Sequence, residues 1–264
     1  MAAKTLLSYE IYSENFDEES ATIDDIRAQL QLPASALAKT PLSAFLEVTS
    51  GLAWESTEYL ANTYSAGHAI SDLQTLYPTV IECWETFAKY ATAYANSEKG
   101  RHTFVAHLPL QGSGFHDANR LVCFAILLGW PQFIDRLVPI IDYNNPARDG
   151  LLERLIAPYV ADRAAAPDEC TRHLPYFKTL KIFKAPPEQR AQLMATYLAE
   201  WYHASRREPY YDSHEKGSSF VGYWSWEAAA ITFVLDIDDS GYRDAAFYPA
   251  DLVAFARNQR SVKP

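Results

Sequence analysis

The 264-residue chain is poor in several things that would mark a function at once. It has three cysteines, Cys83, Cys123 and Cys170, widely spaced and without a C-x-x-C pair, which argues against a disulfide framework or a thiolate zinc site and favours a reducing compartment. Ten glycines are too few for many tight hairpins or a set of phosphate loops, and the one Gly-rich piece, "QGSG" at 111–114, lacks the lysine of a P-loop. No apolar run is long enough to span a bilayer; the longest, "LVCFAILLGW", ends against Pro131. The N-terminus lacks the basic-then-apolar layout of a secretory signal, and the reading is a soluble, cytoplasmic protein.

Positive charge is also short. Lys and Arg number 23 against 33 Asp and Glu, a formal net charge of −10. Most of that excess falls in residues 1–104, with 6 basic and 14 acidic side chains. Such a surface repels phosphate backbones and attracts a basic protein, so direct nucleic-acid binding is disfavoured. The run "ENFDEESATIDD" concentrates the charge in Glu14, Asp17, Glu18, Glu19, Asp24 and Asp25, with no basic residue from there until Arg27. It is either a solvated segment or a surface offered to a basic partner.

What the chain has in quantity is aromatic residues, at 14%, and apolar residues at helical spacing. "PLSAFLEVTSGLAWESTEYLANTYSAG" and "SDLQTLYPTVIECWETFAKYATAYA" predict two antiparallel helices around a turn at Gly67, with Pro78 kinking or interrupting the second. Residues 96–114 break the pattern. Five more helix-length segments follow, then a polar loop, a wholly apolar helix around "GYWSWEAAAITFVLDIDDS", and a last helix with Asp251 near its positive end. The expected fold is all-α, a bundle of about ten helices in two packed halves, 1–104 and 105–264.

Chemistry is thinly signposted. The seven histidines form no H-E-x-x-H, and Cys123 inside an apolar helix reads as an inert core thiol. Asp117, beside His116, reads as a first-turn acid complementing a helix dipole. Glu227 sits among aromatic rings, where burial would either raise its pKa for acid–base work or demand a partner, most simply an arginine or backbone donors. Asp236, Asp238 and Asp239 resemble a divalent-cation cluster. No EF-hand glycine or closing glutamate follows, so turn and cap duty is the stronger reading and neither a metal nor a cofactor is expected. A helical hydrolase using Glu227, Asp238 and Asp239 around a divalent ion is the alternative.

The segment "GYWSWEAAAITFVLDIDDSGYRDAAFYPADL" resembles the C-terminal signature of PoNi-like immunity proteins: an aromatic-rich E-A-A-A helix, an I-D-D-S turn, then Y-P-x-D-L. "YSAGHAISDLQTLYPTVIECWE" is similar to the N-terminal domain of the same family. The resemblance implies an all-helical, non-enzymatic protein that binds and inactivates a cognate nuclease toxin, often a type VI secretion effector. It also implies that Trp224, Trp226, Glu227, Asp238, Asp239 and Asp251 are core or turn residues. Residues 1–40 depart from the family's long charged first helix, and partner choice is expected to reside there. The partner is thus a basic toxin protein, not a nucleic acid or a membrane, with homo-oligomerisation left open.

Overall fold

The computed structural model describes residues 40–100, 106–216 and 220–262, together with residue 21. Among the described residues there are nine α-helices and no strand, in agreement with the all-α expectation. In chain order they are α1 (Leu42–Ser65), α2 (Ile70–Ala95), α3 (Gly114–Leu127), α4 (Ile134–Asp142), α5 (Gly150–Ile156), α6 (Thr179–Lys184), α7 (Pro187–Ala204), α8 (Trp226–Val234) and α9 (Ala250–Val262). None is long and apolar enough to cross a membrane.

The predicted α1–α2 hairpin is present, and its turn shows why Gly67 stops α1. Gly67 takes a φ of 82°, its N–H bonds Tyr64 O at 3.0 Å, and His68 N bonds Thr63 O at 3.2 Å. The two helices are locked by Trp84, whose indole N–H donates to Thr57 Oγ1 at 2.8 Å.

Pro78 does not interrupt α2 as the sequence suggested; the helix runs through it. Proline supplies no N–H to the carbonyl four residues earlier, that of Gln74. The indole of Trp130 takes that carbonyl instead, at 2.9 Å, while Gln74 Nε2 donates to Leu128 O at 2.7 Å. The lost helical bond becomes a tertiary one.

At the centre lies α3. Of its residues only His116 and Arg120 escape full burial, and it touches α1, α4, α5, α8 and α9. One continuous apolar cluster surrounds it, running from Leu52 to Ala256. Cys123 is fully buried there, in keeping with an inert core thiol, and burial pushes its thiol well above the ordinary range.

Downstream elements are shorter than their apolar patterns suggest. The segment expected to run through "RDGLLERLIAPYVAD" is helical only to Ile156, because Pro158 disfavours helix at its predecessor. Asp149 caps α5: its Oδ1 accepts from Leu151 N and Leu152 N at 2.9 and 3.0 Å, and its Oδ2 accepts from Thr171 N at 2.6 Å. Glu153, 2% exposed, is gripped by Arg148 and Arg163, and Arg163 also reaches Asp142 at 2.6 Å. Burial alone would raise the Glu153 carboxyl, but the two guanidiniums hold it below its ordinary value.

A carboxyl depressed in the fold adds stability above its unfolded pKa, and that stability is lost as pH falls through the folded value. Glu153→Ala should therefore cost about 3 kcal/mol at pH 7 in urea unfolding, with the difference shrinking on acidification below about pH 4. A loss under about 1 kcal/mol, or one independent of pH, would contradict this account of the arginine–glutamate cluster.

Candidate functional site

The segment entering α8 is pinned before the helix begins. Gly222 has a φ of 89°, and a Cβ there would meet Ser65 Oγ and Trp224 Nε1, each at 2.6 Å. Ser65 Oγ donates to Val221 O and accepts from Trp224 Nε1 at 2.8 Å, while Ser225 N bonds Phe247 O at 2.8 Å. Tyr223 and Trp224 consequently lie before the helix and not on a helical face, as the periodicity had implied; the helix starts at Trp226. Trp224 and Trp226 both pack edge-on against Tyr64, with ring centroids 4.9 and 5.3 Å away.

Glu227 is 1% exposed, but its partners are neither the arginine nor the backbone donors expected from sequence. Its Oε1 accepts from Tyr197 Oη at 2.6 Å, Trp201 Nε1 at 2.8 Å and Ser225 Oγ at 2.7 Å, and its Oε2 accepts from Asn119 Nδ2 at 3.3 Å. Four neutral donors from α3, α7 and the start of α8 converge on one carboxylate. They satisfy it without the cost of burying a second full charge.

The three aspartates after α8 have three separate duties. Asp236 adopts a φ of 51°, closes α8 in the manner of Gly67, and pairs with Arg260 at 2.7 Å. Asp238 is exposed and folds onto Ser240 N and Oγ, both at 3.0 Å, a turn role as expected. Asp239 goes beyond turn chemistry. It is 1% exposed and accepts from Arg243 and Arg257 at 2.8 Å each and from Tyr248 Oη at 3.2 Å. Burial would raise its carboxyl; the arginines hold it low. Asp251 lies in the first turn of α9, where it accepts from Tyr64 Oη and Leu252 N.

Among the described residues no three or more His, Cys, Asp or Glu side chains are gathered so as to hold a metal ion. The hydrolase alternative loses its parts for a physical reason: Glu227 and Asp239 are each saturated by their own donors, and Asp238 is spent on its turn. Glu14, Asp17, Glu18, Glu19, Asp24 and Asp25 lie outside the described residues.

Sequence reasoning missed a cavity. About 430 Å³ in volume, it is bounded by α1, α3, α8 and the loops around Tyr176, Tyr210 and Gly222. Trp54, one of two large exposed apolar side chains among the described residues, stands on its wall and marks where it meets solvent. Three carboxylates, Glu58, Asp117 and Glu227, face one guanidinium, Arg120. Arg120 pairs with Glu58. His116 is engaged elsewhere, with Nε2 3.0 Å from Glu208 and Nδ1 3.3 Å from Tyr176 Oη.

Asp117 has no such partner. It is 7% exposed, and no hydrogen bond or ion pair to a described residue reaches its carboxylate. Burial pushes it up to about 7, opposed by the charge of Arg120 and reinforced by that of Glu58. It stands in the first turn of α3, as the sequence suggested, but there it is buried. The available signal was local: His116 and Arg120 stand one turn apart, as do Trp54 and Glu58.

Residues 147–252 match the family described as PoNe immunity proteins (PoNi), C-terminal. The matched span contains α8 and the Glu227 and Asp239 centres. No curated protein matches the chain. Among solved structures, the crystal structure of protein PA2201 from Pseudomonas aeruginosa is similar, with a TM-score of 0.80 at 21% identity, covering 98% of this chain and 92% of that one. That likeness establishes a shared fold.

Glu227→Ala would leave four buried donors unsatisfied and should cost on the order of 3 kcal/mol. A melting temperature equal to the wild type's would remove Glu227 from its structural role. Asp117 should act with the opposite sign. A carboxyl raised in the fold favours the protonated native state, so stability declines as pH rises from about 4 to about 7. Asp117→Asn should raise stability at pH 8, by up to about 4 kcal/mol, and change little at pH 4. Denaturant titrations at both pH values check this, and equal stabilities at pH 8 would contradict it.

Proposed function

We propose that this chain is an immunity protein that binds a cognate PoNe-type nuclease toxin, an effector of type VI secretion, and neutralises it by direct protein contact. The match of residues 147–252 to the PoNe immunity family carries the reading. The charge supports it: a net −10 suits an inhibitor of a basic nuclease, whose surface must hold nucleic acid. On this reading the chain catalyses nothing, and its buried acids serve to hold a surface in shape.

The acidic segment contributes to recognition on the same proposal. Glu14, Asp17, Glu18, Glu19, Asp24 and Asp25 supply a dense field that steers encounter with a basic partner. Charges acting through solvent are screened beyond roughly 8 Å at physiological ionic strength, so association should slow as salt rises.

Co-expression of the chain with the nuclease domain encoded beside it should restore growth of an otherwise intoxicated host, and the two should co-purify. Failure of both would end the immunity reading. Replacing the six acids with Asn or Gln should slow association and weaken protection while leaving the circular-dichroism spectrum and melting temperature unchanged. If affinity and its salt dependence survive the replacement, recognition lies elsewhere on the surface.

A further inference from the structure

A buried carboxylate without a partner is costly, and native proteins rarely keep one without a use. Asp117 is such a group, and it faces a cavity of about 430 Å³, within the size range of small-ligand sites. The cavity is far larger than an ion or a single water needs. Its lining carries three acidic side chains, one arginine and one histidine, the last engaged by Glu208. Three carboxylates oppose one guanidinium that Glu58 already neutralises, and Glu227 is held by neutral donors alone. The walls are aromatic: Trp54, Trp224, Trp226, Trp201, Tyr176 and Tyr210. Carboxylate among aromatic rings is the environment that attracts organic cations, by charge and by the ring quadrupole.

We propose that this cavity receives a basic side chain of the bound toxin, whose cation meets Asp117 at the base and Trp54 at the mouth. The occupant, though not the cavity's preference for cations, rests on the immunity reading. Charge complementarity selects it: a basic nuclease presents arginine and lysine, and a guanidinium brings the donors that the Asp117 carboxylate lacks. The half-exposed Trp54 supplies the kind of aromatic anchor that concentrates binding energy at interfaces. Asp117 would then be a residue retained against the stability of the free protein for the sake of the complex.

Two measurements on the full chain test this. Tryptophan fluorescence should change saturably with Nα-acetyl-arginine amide, and about tenfold more weakly with the uncharged citrulline amide. Asp117→Asn and Trp54→Ala should each abolish most of that preference while remaining folded. No saturable response, or an equal one to citrulline amide, overturns the cation site. In the second measurement, Asp117→Asn should lose about tenfold or more in affinity for the toxin's nuclease domain. Wild-type binding with an unaffected variant overturns the proposed occupant and leaves the immunity reading standing. A wild type that binds no toxin defeats the immunity reading and the occupant with it, and the arginine-amide titration then decides the cation site alone.

Discussion

The structure turns on a single carboxylate held by neutral donors. Glu227 accepts from α3, α7 and the residue that opens α8, and two of those donors, Tyr197 and Trp201, are amphipathic side chains whose bodies belong to the apolar cluster. The aromatic richness of the chain is explained there. Tyrosine and tryptophan carry one polar atom on a large apolar body, so they can fill a core and still satisfy an acid at its centre. The lead-in that delivers Glu227 depends in turn on Gly222, which alone lets Ser65 and Trp224 approach the backbone so closely.

Three kinds of buried acid coexist, distinguished by what surrounds them. Asp239 and Glu153 are paired with two arginines each and favour the native state as ordinary ionised groups. Glu227 is held by dipoles. Asp117 has neither, and the fold disfavours its charge. Of these four, only Asp117 is a liability to the isolated molecule, and it lines the cavity. The two centres saturated by donors make the frame rigid, and rigidity is what lets an unpaired group stay aimed into a cavity without collapsing onto a neighbour.

Much of the helical layout could be read from the chain because it rests on local rules. Gly67 ends α1 as its spacing suggested, and the all-α class follows from periodicity. Other features were beyond local rules. Whether Pro78 breaks a helix depends on Trp130, 52 residues away in sequence, offering an N–H to the freed carbonyl. Glu227 announced its burial through its apolar neighbours, but the identity of its donors depended on how α3 and α7 pack. The cavity was invisible for the same reason: Trp54, Asp117, Tyr176 and Glu227 come from four distant segments that no single motif joins.

The near-total burial of α3 has a kinetic corollary. A helix enclosed on every side by its neighbours cannot expose its amides by fraying or by the departure of any one of them. Its central N–H groups, around Val122 to Ala125, exchange with solvent only when the whole assembly opens. The same helix carries Asp117 and Asn119, so the cavity's charged floor and one donor to Glu227 inherit the slowest clock in the molecule. A partner arriving at the cavity meets a surface that holds its shape for as long as the protein stays folded.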